Sequence, residues 1–213
     1  MAPILLKRKK SNYEKIINLK CGIGAGIEPR LHQKFEKRFK VPMIELWGMT
    51  EMVRCIFDNS KNRKIGERCF GRPDESLQTL VVDENGNNKL NEKGELLIRH
   101  NAIYPQKGFF DGYYKNKRAT ESAWRNKWFH TGDIVIKNNK GYLFFVDRKK
   151  NLIRRGGENI SSAEIEANLL ELPLVKSAAV CGYPHHIYEE EVFAIIVLIN
   201  KKKNTLKTAK DIL

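Results

Sequence analysis

The feature that most constrains the fold is an apolar run that ends in a chemically mixed turn. Residues 41–46 partly alternate in polarity, which is typical of a β-strand. Five residues follow it: Trp47, Gly48, Met49, Thr50 and Glu51. A ring offers a face to a base, glycine admits a ligand, a hydroxyl can donate to phosphate and a carboxylate can hold Mg²⁺. A β-turn beside a core tryptophan explains the pentapeptide equally well.

Two later stretches carry polar groups of the same kind. In the first, residues 128–133, Asp133 follows a glycine, and we expect its carboxylate to be exposed to a ligand at a strand edge. A carboxylate can accept hydrogen bonds from both hydroxyls of a ribose. The second, residues 146–160, contains Arg148, whose guanidinium suits ribose or phosphate oxygens. A turn-capping aspartate and a surface ion-pair arginine are the structural alternatives.

In this order and spacing, the three stretches resemble the adenylate-forming enzymes, which include acyl-CoA synthetases, luciferases and the adenylation domains of peptide synthetases. The resemblance runs from about Leu19 to about Asn200. Residues 155–160, Arg-Gly-Gly-Glu-Asn-Ile, look more like acyl-CoA synthetases, including carnitine- and fatty-acid-CoA ligases, than like peptide-synthetase modules. Each motif alone is weak, but their shared order makes the family prediction specific.

The resemblance implies an ATP-dependent acid–thiol ligase that uses ATP, Mg²⁺ and coenzyme A. A carboxylic acid would be activated as an acyl-adenylate and transferred to coenzyme A, with AMP as the product. Trp47 would stack on adenine, Thr50 would contact the α-phosphate, and Glu51 would bind Mg²⁺. Gly48 and Met49 belong to the same nucleotide-binding motif. The implied adenine-pocket wall is the small-residue loop of Gly24, Ala25 and Gly26.

The resemblance also assigns roles near the C-terminus. Asp133 and Arg148 would hold the ribose of AMP. Lys150 aligns with a hinge about which the family's small domain rotates. Arg154 and Gly157 would line the tunnel for the thiol.

We expect a mixed α+β fold in two parts. Residues 1–148 would form the C-terminal portion of the large AMP-binding domain, with a β-rich lobe. Residues 149–213 would begin a small, truncated α+β C-terminal subdomain. The family's Ser/Thr/Gly-rich phosphate loop and its C-terminal lysine have no counterpart in this sequence. We therefore expect the isolated chain to be inactive as a ligase.

Several local patterns predict elements. A helix begins at Pro29, and its apolar positions recur every four residues. Ser161 to Glu164 has capping-box spacing, which predicts a helix that Pro173 ends. The other predictions are a strand at 53–57, strands at 77–82 and 94–99 around an Asn-Gly turn, a helix at 115–123, a hairpin over 134–146, strands at 175–182 and 191–199, and a helix from Thr205.

Composition leaves two alternatives open. The net charge of +14 raises the possibility of nucleic-acid binding, but the lysines are scattered and the single Arg-Gly-Gly unit is not repeated. Because the phosphate loop and lysine are missing, a non-catalytic nucleotide-binding remnant is the other alternative. We expect no nucleic-acid partner. No apolar run approaches a membrane span, and we expect a cytoplasmic protein.

Single residues complete the predictions. The four cysteines are widely spaced, so we expect buried free thiols rather than disulfides or a zinc site. We expect His32 to lie on the surface, and the pair His185 and His186 to lack the further ligands that a metal needs.

Overall fold

The structure is a computed structural model that describes residues 2–16 and 18–199. The chain divides into two compact units, Met1–Phe145 and Val146–Leu213. The basic run at 201–203 and the helix predicted from Thr205 lie outside the described residues. The mixed α+β fold class is confirmed, since each unit combines helices with β-sheet.

A three-stranded sheet in the first unit holds the Trp47 segment. β1 (Gly22–Gly24) pairs in parallel with β2 (Met43–Trp47), and β3 (Ile56–Phe57) pairs antiparallel with β2. A parallel pair needs a crossover, which α2 (Pro29–Phe39) provides. Proline occupies the first turn of α2, where its missing N–H has no helical partner to lose.

An N-terminal helix, α1 (Ala2–Lys7), packs against α2. Their shared cluster is centred on Ile27, Phe35 and Met43, which are buried. A short 3-10 turn, Asn12–Lys15, follows α1, and its Glu14 accepts a 2.7 Å hydrogen bond from Arg38 on α2. The first strand begins at Gly22, directly after Cys21.

A six-stranded sheet forms the β-rich lobe. Its order is β4-β9-β8-β6-β5, with β7 paired to β8. The strands are β4 (Cys69–Gly71), β5 (Leu77–Val82), β6 (Lys93–His100), β7 (Trp124–Arg125), β8 (Trp128–Lys137) and β9 (Leu143–Arg148). Before β7 lies α3 (Lys117–Ala123), where the side chain of Asn116 caps the N-terminus.

The main hydrophobic core lies on this sheet and reaches β2. Phe70, Leu96, Ile98, Phe129 and Val135 are each at most 1% exposed. Trp47 and Met52, from the turn motif and just after it, belong to the same cluster. The turn motif is therefore anchored by core packing, which fixes its place against β8.

The second unit contains a four-stranded sheet and one helix. Its sheet order is β11-β10-β13-β12, and α4 packs on β12. The elements are β10 (Leu152–Arg155), β11 (Glu158–Ser161), α4 (Ser162–Glu171), β12 (Val175–His185) and β13 (Glu189–Leu198). As predicted, Ser161 caps α4, because its hydroxyl accepts a 3.2 Å hydrogen bond from the Glu164 N–H.

Most predicted elements are confirmed, but one strand, one histidine and three of the cysteines differ from the expectations. The strand at 53–57 is only Ile56–Phe57, and Val53 is 83% exposed. His32 is not on the surface: it is 3% exposed and lies 2.7 Å from the Met43 carbonyl oxygen. The cysteines are free as expected, yet only Cys69 is buried.

Candidate functional site

The Trp47 side chain is a core residue. Alternation along β2 points Met43, Glu45 and Trp47 inward. Trp47 is 6% exposed, and its ring stacks on Phe70 with centroids 5.7 Å apart. This packing fixes the indole rigidly at the end of β2; stacking on adenine stays a prediction.

Asp133 reaches the same place from the other predicted motif. It lies in an irregular part of β8, where the register with β6 shifts. Gly132 has φ +69°, and the Asp133 N–H donates to the Thr131 hydroxyl at 3.1 Å. The Asp133 carboxylate then accepts a 2.8 Å hydrogen bond from Trp47 Nε1. Two motifs 86 residues apart therefore meet through one polar contact.

The predicted exposure of Asp133 is wrong. The residue is 2% exposed and lies inside a ten-residue strand rather than at an edge. The indole N–H of Trp47 explains this, since a buried donor needs an acceptor and the carboxylate supplies it. A ribose-binding role for Asp133 stays a prediction.

The turn after Trp47 presents its polar groups outward. A Cβ at Gly48 would lie 2.9 Å from Cys55 Sγ, so a larger residue here would displace the Cys55 side chain. Met49 packs against the core, whereas Thr50 is exposed. Glu51 is half-buried, and its Oε1 accepts a 2.9 Å hydrogen bond from the Tyr113 hydroxyl.

The small-residue loop is fastened to β2 by a buried acid. Glu45 Oε1 accepts a 3.1 Å hydrogen bond from the Ile27 N–H. Burial raises the pKa of Glu45 to about 7, against the lowering effect of the Ile27 and Gly26 N–H groups and of Arg68. Gly24 and Ala25 lead into Gly26, which has φ +62° and open space around the position of a Cβ. The loop therefore leaves room beside it.

In the second unit, Asp147 contacts residues on both sides of Lys150, the predicted hinge. Its carboxylate accepts hydrogen bonds from the N–H groups of Arg148 (2.7 Å) and Ala163 (3.0 Å). It also accepts bonds from the Ser161 hydroxyl at 2.8 Å, the Ser162 hydroxyl at 3.3 Å and the Asn151 amide at 3.2 Å.

These donors decide the charge state of Asp147. Burial alone would raise the pKa of Asp147, but the Ala163 N–H, the Ser161 hydroxyl and the other donors outweigh burial and lower it. Arg148 and Lys150, just after Asp147, have exposed side chains. Lys150 lies in the short 3-10 turn Lys149–Asn151. Its hinge role stays a prediction.

The residues predicted for the thiol tunnel lie around the β10–β11 turn. Arg154 is exposed, and its backbone N–H donates to Glu190 Oε2 at 2.7 Å. Gly157 has φ +86°, and a Cβ there would meet open space. Arg155 donates to Glu191 Oε1 at 2.6 Å and lies over the Tyr188 ring.

Sequence reasoning missed three residues at these sites. Glu45 lies two residues from Met43 and two from Trp47 along β2, so all three share one face, which was a usable signal that its side chain points inward. Tyr113 could not be identified from the sequence, because its contact with Glu51 spans 62 residues. Asp147 directly follows the hairpin predicted over 134–146, and the donors around its carboxylate come together only in the folded unit.

Among the described residues, no group of three or more His, Cys, Asp or Glu side chains could hold a metal ion alone. Mg²⁺ often keeps several waters and is bound by one or two carboxylates together with substrate phosphates. A half-buried Glu51 at an outward-facing turn fits that kind of site, with the phosphates completing the coordination.

Comparison with known proteins identifies the family. Residues 4–114 match the family model described as AMP-binding enzyme. The chain belongs to this family. It is 34% identical over 168 residues to a crotonobetaine/carnitine–CoA ligase of Proteus mirabilis, which covers 78% of this chain and 32% of that protein. A sulfoacetate–CoA ligase of Cupriavidus necator is 33% identical over 179 residues, covering 82% and 34%.

Solved structures share the fold of this chain. ATP-bound MatB from Rhodopseudomonas palustris superposes with TM-score 0.79 at 24% identity, over 96% of this chain and 40% of that chain. The o-succinylbenzoate CoA synthetase of Bacillus subtilis, in complex with its acyl-adenylate intermediate, gives TM-score 0.78 at 25% identity, over 99% and 42%.

The predicted family and fold class are thus confirmed, and the sequence relatives are CoA ligases. The chain spans about a third of the length of the curated relatives it matches. In the part of the chain that the structure describes, every helix is too short or too polar to cross a membrane.

Proposed function

We propose that this chain is the adenosine-binding portion of an ATP-dependent acid–thiol ligase. In the whole reaction, an oxygen of a carboxylic acid attacks the α-phosphorus of ATP, and the bond to pyrophosphate breaks. The sulfur of coenzyme A then attacks the acyl carbon of the adenylate, and AMP leaves. Membership of the AMP-binding family and the CoA-ligase relatives support this proposal.

The observation that carries the proposal is the hydrogen bond from Trp47 Nε1 to Asp133. It joins the two motifs that the resemblance assigns to adenine and ribose, and it does so directly before the outward-facing Thr50 and Glu51. Adenine would lie between Trp47 and the loop at Gly24 to Gly26, which has open space at Gly26. Asp133 would accept hydrogen bonds from the ribose hydroxyls.

The phosphates would extend toward the exposed side of the turn. The Thr50 hydroxyl would donate to the α-phosphate, and the Glu51 carboxylate would hold Mg²⁺. When bound, Mg²⁺ would supply charge neutralisation at the phosphate oxygens. The chain's own residues would mainly position the nucleotide and stabilise charge that develops at the α-phosphate.

The second unit would act in the thiol step. Arg148 would contact the ribose, Lys150 would be the hinge, and Arg154 and Gly157 would border the path of the thiol. We propose that the phosphate loop, the C-terminal lysine and most of the acyl pocket belong to the two thirds of a relative's length that this chain does not span. The 213 residues alone would then bind AMP weakly and release no pyrophosphate.

Calorimetric titration of the chain with AMP tests this proposal. Asp133→Asn keeps an amide oxygen that can accept the Trp47 N–H, so the fold is preserved while the charged acceptor for ribose is removed. We expect this variant to bind AMP about tenfold more weakly, because hydrogen bonds to a charged group are the stronger ones. Glu75→Gln, which changes an exposed acid, should leave the affinity unchanged.

Two results would contradict the proposal. The first is a folded wild-type chain that does not bind AMP. The second is an unchanged AMP affinity in Asp133→Asn. If the chain does not bind AMP but binds DNA, and the DNA is released by about 0.2 M salt, nucleic-acid binding would be supported instead.

A further inference from the structure

The Glu51 carboxylate is held from a segment far away in the sequence. The Tyr113 hydroxyl donates to Glu51 Oε1 at 2.9 Å. The Phe110 N–H donates to the Glu51 carbonyl at 2.8 Å, and the Val53 N–H donates to the Gly108 carbonyl at 3.0 Å. Residues 108–113 therefore run alongside the turn motif and bind both its backbone and its acid.

Tyr113 is itself fixed in place. Its N–H donates to the Thr120 hydroxyl on α3 at 2.9 Å. Its ring meets the edge of Phe110 with centroids 4.8 Å apart. Gly112 has φ +148°, and a Cβ there would lie 3.0 Å from Thr120, so the backbone passes close to the helix. The backbone bond to Thr120 and the ring contact with Phe110 together hold the Tyr113 phenol beside Glu51.

A carboxylate has two oxygens, and a hydrogen bond to one of them orients the other. We propose that Tyr113 is a positioning residue that orients Glu51 so that Oε2 meets the Mg²⁺ of bound Mg·ATP. This inference rests on the proposed function. It assigns a role to a tyrosine in the loop that connects β6 to α3.

A tyrosine phenol keeps its proton at neutral pH, so the Tyr113 hydroxyl can donate to Glu51. It holds the carboxylate without adding a second negative charge near the phosphates.

The adjacent Tyr114 provides a matched control. It is 87% exposed, and its ring has the ammonium group of Lys115 5.2 Å from its centroid. Tyr113→Phe and Tyr114→Phe each remove one hydroxyl from neighbouring positions. Only the first removes the contact with Glu51.

The test compares two titrations of the full 213-residue chain. One measures ATP affinity in excess Mg²⁺, and the other measures AMP affinity in EDTA. We expect Tyr113→Phe to weaken ATP binding in Mg²⁺ about fivefold, because the lost hydrogen bond orients the charged Glu51 carboxylate that would bind the metal. AMP binding in EDTA does not use that metal, so it should change less than twofold. Tyr114→Phe should change neither affinity.

Thr120→Val is a second variant that leaves the phenol in place. It removes the hydroxyl that accepts the hydrogen bond of the Tyr113 N–H. We therefore expect ATP affinity in Mg²⁺ to fall about twofold, which is less than in Tyr113→Phe. Circular dichroism of each variant checks that the fold is retained.

Three results would overturn the inference. The first is Mg²⁺-dependent ATP binding that stays within twofold in Tyr113→Phe. The second is an equal loss of AMP and ATP affinity, which would indicate a structural role. The third is a wild-type chain whose ATP affinity ignores Mg²⁺. If AMP still binds in that last case, the proposed function stands without this metal site; if AMP binding is also absent, both fail together.

Discussion

Glu45 in the first unit and Asp147 in the second are both buried acids, 6% and 2% exposed, yet their pKa values shift in opposite directions. Burial raises the pKa of Glu45 to about 7. Burial also acts on Asp147, but the hydrogen bonds that it accepts lower its pKa below the usual range. The two side chains differ in the number of donors around them rather than in their degree of burial.

The local structure explains that difference. Asp147 lies beside the start of α4, where hydroxyl and N–H groups converge on it from Ser161, Ser162 and Ala163. Glu45 faces a glycine-rich loop that offers backbone N–H groups only, and its Oε2 has no hydrogen-bond partner within the described residues. Desolvation favours the neutral acid unless hydrogen bonds to the charged form compensate.

The largest effect is expected for Asp147→Ala. The change leaves the buried hydroxyls of Ser161 and Ser162 and the N–H of Ala163 without their acceptor, and we expect a loss of about 2–4 kcal/mol of stability in the second unit. Hydrogen exchange of the α4 and β12 amides measures this unit separately. Glu171→Ala, an exposed acid at the end of α4, should change it by less than about 0.5 kcal/mol.

The pH dependence of the wild-type chain extends this test. Because the folded pKa of Asp147 is lowered, its contribution is present above its ordinary pKa of 3.8 and is lost as the pH falls through the folded value. Protection of the Ala163 amide, corrected for intrinsic exchange rates, should therefore decrease on acidification. Unchanged protection in Asp147→Ala would contradict its anchoring role.

Glu45→Gln should act in the opposite direction. The pKa of Glu45 is about 7 in the folded chain and 4.5 as its ordinary value. The protonated Glu45 side chain therefore stabilises the folded state fully below pH 4.5, and this stabilisation is lost as the pH rises through about 7. The loss would be about 3 kcal/mol as an upper value. A glutamine cannot ionise, so the variant should show a flatter stability–pH curve and be more stable than wild type at pH 8.

Urea unfolding at pH 5 and pH 8 measures this effect, with amides of β1 and β2 as local probes. Glu28→Gln, at a half-buried acid near the same loop, is the control and should keep the wild-type pH dependence. If Glu45→Gln were less stable than wild type at pH 8, the Glu45 carboxylate would be better solvated than its burial indicates.

Much of the fold could be predicted because its signals are local. The apolar, β-branched runs at residues 175–182 and 191–199 and the capping spacing at Ser161 depend on neighbours within a few residues, and these elements are confirmed. Burial of individual polar residues depends on distant partners. His32 could not be placed from α2 alone, since its buried position depends on the carbonyl of Met43 and the N–H of Gly66.

The candidate site shows the same division. The motifs predicted which residues matter, and the family that they indicate is confirmed. They did not predict that Asp133 would be turned inward by Trp47, or that Tyr113 would hold Glu51. Both contacts join positions more than 60 residues apart, and no local pattern in the chain records them.

The smallest predicted effect tests how much stability a single one of the hydrogen bonds to Asp147 contributes. The neutral amide of Asn151 donates one hydrogen bond of 3.2 Å to the Asp147 carboxylate, longer than the bonds from Arg148, Ser161 and Ala163. With the other bonds in place, Asn151→Ala should cost only about 0.5–1 kcal/mol, measured by exchange of the α4 amides. Lys150→Ala, the exposed neighbour in the same turn, should leave that exchange unchanged. A loss as large as that of Asp147→Ala would mean that the turn after β9, rather than the start of α4, holds the carboxylate in place.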